Sequence, residues 1–325
     1  MESICKAIDA LKPPLVMVTV QTILAGVNVS YKIAHCVGMN PSILTFYRQF
    51  IAAAFILPVA FLAERNKRTK LTWMVIFQAF CCGLIGPTLG QNLNGKGIIY
   101  ASATYATAIT LLTPATTFIL AVTLRLERIK WSVPAGKAKV LGTIVGVCGA
   151  IVFVSYKGAE IDLWNKNVNP LHSSLHYKVG TRPVLGAFLA FLGCFCYSSW
   201  LIIQGITADE YPYPYSFTAL TMVMGAIQSF VYAICVDRNW EQWKLGWDTK
   251  LLTVAYVGIF GGGVMFSLLR WCVGTKGPVY VSMFNPLTVI LVVVFGSLRV
   301  FGGVVIMIGV YAVLWGKGKE TEGDQ

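Results

Sequence analysis

Ten apolar stretches, each near the length needed to cross a lipid bilayer, fill this chain of 325 residues. A helix rising about 1.5 Å per residue needs roughly 20 mostly apolar residues to cross a hydrocarbon core of about 30 Å. Inside lipid the backbone N–H and C=O groups must pair within the protein, so each stretch predicts a helix. The stretches lie at about 14–33, 42–62, 72–92, 98–120, 139–156, 184–204, 214–235, 251–271, 278–297 and 300–315. The expected fold is an all-α polytopic membrane protein.

Composition supports that class. Hydrophobic residues make up 56% of the chain and charged residues 12%, against about 25% charged in soluble domains. A soluble core of this kind would leave too few polar residues to cover it. The net charge of +12 sits in short loops between apolar runs. No basic face interleaved with stacking aromatics is present, so nucleic acid is not an expected partner. Six of the nine cysteines, Cys81, Cys82, Cys148, Cys194, Cys196 and Cys235, lie in or at the ends of apolar spans, where Cys acts as a small hydrophobe. Cys194-Phe-Cys196 lacks the CxxC spacing, so no disulfide, metal or cofactor is expected. The first apolar run follows Pro13-Pro14 and carries Gln21 and Asn28, which does not read as a cleaved leader.

Alternate loops differ in Lys and Arg. The side holding the first residues carries 15, including Arg65, Lys67, Arg68, Lys70 and Arg270, and the other side 10, with Arg48 inside span two. The first half gives 11 against 2 and the second 4 against 8. First helices usually dominate, so both termini are expected in the cytoplasm.

The chain also repeats itself. Pro114-Ala-Thr116 in span four matches Pro286-Leu-Thr288 in span nine at an offset of 172, and Pro41 and Pro214 precede spans two and seven. Gly142, Gly149 and Lys157 match Gly302, Gly309 and Lys317 at an offset of 160. The expected units are 14–156 and 184–315, joined by a polar linker at 157–183 and followed by a tail at 316–325. An odd number of spans per unit makes the second copy enter the membrane from the opposite face. Such inverted repeats recur in secondary transporters, where two units rock about a central site.

Several segments carry a resemblance. They are Pro41-Ser-Ile-Leu-Thr-Phe-Tyr47-Arg48-Gln49, Gly90-Gln91-Asn92-Leu93, Ser102-Ala-Thr104-Tyr-Ala-Thr107-Ala-Ile-Thr110, Tyr211-Pro-Tyr-Pro-Tyr-Ser-Phe-Thr218 and Gly277-Pro-Val-Tyr-Val-Ser-Met-Phe-Asn285-Pro286. Together they resemble the plant "walls are thin"-related proteins, nodulin-type EamA transporters of the drug/metabolite transporter superfamily. The resemblance implies ten transmembrane helices as two inverted five-helix EamA repeats. It also implies export or facilitated passage of amino acids, auxin or related metabolites at a plant plasma or vacuolar membrane. The partners are then the lipid bilayer and a small organic solute, with a homodimer left open. One departure stands out: the link between spans nine and ten is 12 residues shorter than that between four and five. A transport-inactive, shortened member of the family is therefore an alternative.

Candidate substrate-binding residues follow from polarity inside spans. Arg48 meets an anionic solute group, or else bonds helix carbonyls or snorkels to a membrane face. Gln91 and Asn92 line a cavity or bond between helices. Thr104, Thr107 and Thr110 share one helical face, toward solute or toward a neighbouring helix. Asn285 suits a solute amide or carboxylate. Pro114 and Pro286 remove helix hydrogen bonds at mid-span and are candidates for kinks or gates. Tyr197, Trp200 and Trp271 line a cavity or anchor the interface. None of the 14 acidic residues lies in a span core, which favours gradient-following transport over an intramembrane carboxylate relay. HExxH, GxSxG and Walker A patterns are absent, which weighs against an enzyme or an ATP-driven pump.

Overall fold

The computed structural model of the chain describes residues 2–36, 38–65, 72–100, 109–126, 182–236, 240–245, 249–288 and 291. Among the described residues all regular structure is helical, with no strand. In chain order the elements are α1 (Glu2–Cys36), α2 (Pro41–Ala63), α3 (Trp73–Gly83), a first π segment (Leu84–Gly90) and α4 (Gln91–Tyr100). After these come α5 (Thr113–Thr123), α6 (Pro183–Glu210), α7 (Pro214–Val236), α8 (Thr249–Tyr256), a second π segment (Val257–Val264), α9 (Met265–Lys276) and α10 (Pro278–Ser282). Among the described residues six segments are long and apolar enough to cross a membrane: Leu11–Tyr31, Pro41–Ala63, Trp73–Gly97, Val184–Glu210, Pro214–Val236 and Lys250–Lys276. Spans five and ten, the linker and the shortened connector lie outside the described residues.

Proline starts four of these helices. Pro41, Pro183, Pro214 and Pro278 each occupy the first helical position, where a missing N–H costs nothing and φ is already set. Asn40 caps α2 by accepting from Ser42 N at 3.0 Å. Gly277, at φ 87°, turns the chain from α9 into α10.

Two expected boundaries move: α1 begins at Glu2 rather than near 14, with Pro13 and Pro14 inside it. The sequence suggests a loop near 93–97, yet α3, the first π segment and α4 run without interruption from Trp73 to Tyr100. Close packing holds the helix together there: a Cβ on Gly97 would lie 2.9 Å from Ala190 N on α6. Lys96 thus sits in a helix and places its ammonium 5.5 Å from the Tyr232 ring centroid.

The two π segments stand at the same place in each half. Leu84 and Val257 start them, separated by the same interval as Pro41 and Pro214. In the first, Pro87 lacks an N–H and leaves one helix hydrogen bond unmade. In the second, Gly258, Gly262 and Gly263 let α2 approach and Gly261 lets α1 approach: a Cβ on Gly258 would fall 2.6 Å from Ile51 Cβ.

At the centre, α2 and α7 pack antiparallel. Glu64 at the end of α2 meets Ser216 at the start of α7, while Phe46 and Phe230 stack at 5.3 Å at the opposite end. Gly83 brings α3 close to α7: its Cβ would lie 2.9 Å from Gly225 N. That neighbour is backbone and cannot swing away. Gly83→Ala should cost about 1–3 kcal/mol by overpacking and lower the melting temperature of detergent-purified protein. Gly95→Ala, with nothing within 4 Å of the new Cβ, should melt with the native chain.

Outside, Phe50, Phe61, Phe77, Phe188, Phe191, Ile227 and Val231 are exposed. Inside lie Gln21, Arg48 and Ser198, all at 1% exposure or less. A protein in lipid has this inverted distribution because hydrocarbon solvates the apolar face and polar groups must pair within.

Candidate functional site

Two broken helices set the geometry. The chain is helical at 109–110, turns at 111–112 and resumes as α5 with Pro114 in its first turn. Likewise α10 ends at Ser282, the chain turns at 283–284, and residues 285–288 resume the helix with Pro286 second. Each proline follows the break because its ring removes a donor and disfavours helix at the preceding residue. Thr113 and Asn285, the residues just before the two prolines, open the resumed helices, with Thr116 and Thr288 one turn on.

The partners of these residues come from the other half. Asn285 Oδ1 accepts from Gln21 Nε2 of α1 at 3.4 Å, and the Thr288 hydroxyl donates to Gln21 Oε1. In the first half, Thr113 and Thr116 contact Cys194 Sγ of α6 at 3.4 and 3.7 Å. Gln21 and Cys194 are separated by the same interval as Pro41 and Pro214. The two breaks thus reach across to matching positions on the first helix of the opposite half. Ser198, one turn beyond Cys194, adds hydrogen bonds to Thr116 at 2.6 Å and to Thr117 at 3.1 Å.

Arg48 lies in the core at 1% exposure. Its Nη2 donates to Gly261 O in the second π segment at 2.8 Å, and its guanidinium faces the Phe266 ring at 5.4 Å. The bond to a helix carbonyl is one of the alternatives the sequence left open; the side chain does not extend to a membrane face. Trp200, also 1% exposed, stacks on Phe266 at 5.1 Å and on Tyr197 at 5.4 Å. Tyr197 lies beside Asn285 and within electrostatic reach of Arg48. Arg48 and Asn285 are therefore brought into one cluster with Gln21, Tyr197, Trp200 and Thr288. Among the described residues no three His, Cys, Asp or Glu side chains converge, so none offers a metal a ligand set.

Other sequence candidates lie elsewhere. Asn92 accepts from the Ser42 hydroxyl at 2.9 Å and donates to Thr88 O at 2.8 Å, which ties α4 to the start of α2. Gln91 is half-buried at the start of α4. Thr110 supplies a carbonyl to the Thr113 hydroxyl at 2.6 Å, just before the first break. Thr104 and Thr107 fall outside the described residues. Asn92→Ala should remove about 1–2 kcal/mol of stability, read as a lower melting temperature, and leave solute affinity unchanged.

Two features are absent from the sequence candidates. Gln21 was visible only as a polar residue in an apolar run. Trp200, which the sequence left as cavity-lining or interfacial, is buried in the core. Arg270, counted among loop charges, is 2% exposed inside the Lys250–Lys276 helix. It donates to Gln204 O and Tyr211 O and lies 4.3 Å from the Phe217 ring centroid. Arg270 thus ties α9 to the α6–α7 turn.

Known proteins give the same architecture. The EamA-like transporter family model matches residues 11–155 and 184–315. Two WAT1-related proteins of Arabidopsis thaliana are 36% and 35% identical, each over 96% of this chain and 91% of its own length. A third is 37% identical over 96% of this chain and 84% of its own. A protein of known crystal structure superimposes with a TM-score of 0.61 at 18% identity, covering 86% of this chain and 87% of that one. At that identity the likeness shows the fold alone.

Proposed function

We propose, since the chain belongs to the EamA-like transporter family, that it carries carboxylate-bearing organic solutes by alternating access. Transport of small solutes across a membrane is what family membership gives; the solute class and mechanism are the further step. In this reading ten helices form two inverted halves, 14–156 and 184–315, with the helix breaks at mid-membrane on either side of one central cluster. Half-helix ends at that depth offer dipoles and free backbone groups to a solute. Arg48 supplies the positive charge, Asn285 a polar anchor, and Pro114 and Pro286 keep both helices open at the breaks. Both termini are cytoplasmic, and a plant plasma or vacuolar membrane is the setting.

One observation carries this reading: each break bonds to the first helix of the opposite half, at Gln21 and at Cys194. Rocking one half against the other must exchange these contacts, which is what a two-faced carrier needs and an enzyme does not.

Oocytes expressing the chain and preloaded with labelled amino acids or auxin provide the test. Efflux above water-injected controls is expected. A variant with a 12-residue connector inserted after Leu298 tests the shortened link, which favours the second reading of an inactive member. Efflux from that variant alone, at matched surface levels, would support the second reading; efflux from neither would refute transport of these solutes.

A further inference from the structure

The two helix breaks are equivalent in place and unequal in chemistry. At the first, Thr113, Thr116 and Cys194 are short hydroxyl and thiol groups that bond one another and Ser198. At the second, the matching positions hold Asn285, Thr288 and Gln21, a longer amide that reaches both partners. Rocking alone calls for no such difference, and a buried amide is costly to keep.

Two further donors stand in the same cluster without a partner. Arg48 Nε and Trp200 Nε1 make no hydrogen bond, although each side chain is only 1% exposed. Both side chains contact Phe266, at 5.4 and 5.1 Å, and Trp200 packs on Tyr197, which lies beside Asn285. The Gln21–Asn285 bond, at 3.4 Å, is longer than the usual range of about 2.7–3.2 Å. It can open at low cost to admit another planar polar group.

We propose that the solute's polar head binds on one side of the pseudo-two-fold only, between Gln21, Asn285 and Thr288, and that Gln21 sets which heads are accepted. The head that fits is planar and rich in acceptors, a carboxylate or primary carboxamide. It takes up the Gln21 and Asn285 amides in place of their mutual bond, and the idle Arg48 Nε in the same cluster offers it a charged donor. This assignment rests on the transport reading.

The test uses the full chain in sealed liposomes, with labelled indole-3-acetate and indole-3-acetamide as solutes. Gln21→Cys, which copies the first half, should raise KM for both about tenfold or more, with maximal rate within twofold. Gln21→Asn should recover part of that loss. Cys194→Ser should raise KM far less than Gln21→Cys does. Gln21→Glu keeps the size but places a negative charge there, and should disfavour the acid over the amide by about tenfold. An unchanged KM in Gln21→Cys, equal rises in Gln21→Cys and Cys194→Ser, or a fall in maximal rate alone would each overturn the proposal. So would an unchanged acid-to-amide ratio in Gln21→Glu, the readout that decides should Gln21→Cys not fold. A native chain that moves neither solute refutes transport of this class, and the proposal falls with it.

Discussion

Arg48→Met should abolish carboxylate transport, by at least about a hundredfold, while the protein melts within about 2 kcal/mol of native stability. A buried guanidinium is expensive to desolvate, and replacing buried ionic groups with apolar ones of similar volume is often neutral or stabilising. Arg48 offsets that cost with a carbonyl bond and a ring face, and leaves Nε idle. A residue kept for stability would be better satisfied. Transport in sealed liposomes and a thermal melt of the same sample separate the two roles. Preserved transport with a large drop in melting temperature would make Arg48 a structural residue. Arg48→Lys should keep the charge but lose the planar fork, and transport should fall less than in Arg48→Met.

Glu64→Ala should produce the largest loss of stability among single changes on the α2–α7 axis, about 3 kcal/mol. The carboxylate, 6% exposed, accepts from Tyr215 N at 3.0 Å, from Ser216 N at 2.8 Å and from the Ser216 hydroxyl. It is a cap donated by one helix to the start of another. A lost N-cap costs about 0.5–2 kcal/mol, and charged hydrogen bonds are worth about 1.5–3 kcal/mol each. The negative charge also opposes the positive end of the α7 dipole. Glu64→Gln keeps one acceptor and should lose about half as much. Thermal melts in detergent read both, and an unchanged Glu64→Ala melt would refute the capping role.

The pattern of apolar runs was enough to place α1, α2, α6, α7 and the Lys250–Lys276 helix, because lipid leaves the backbone little choice but to pair with itself. Residues 93–97 were not legible. Asn94-Gly95-Lys96-Gly97 has the composition of a turn, and close packing on Ala190 and Gly193 of another helix holds it helical. The π segments were equally hidden, since they answer to packing across the two halves rather than to local propensity. Arg48 and Asn285 were found because polarity in a span is visible. Gln21 and Cys194 needed the repeat register applied helix by helix. Arg270 was missed because a cation near a span end looks like a loop charge. Its burial depends on the α6–α7 turn folding back to offer carbonyls, and no local pattern reveals that.

The measurement that bears most directly on alternating access is counterflow. Sealed liposomes holding the full chain would be loaded with unlabelled indole-3-acetate and diluted into a trace of the labelled compound. A carrier with one central site open to either face should accumulate label transiently above its equilibrium level, and Arg48→Met should show no overshoot. Label rising monotonically to equilibrium, with the same time course in loaded and empty liposomes, would contradict a two-faced carrier.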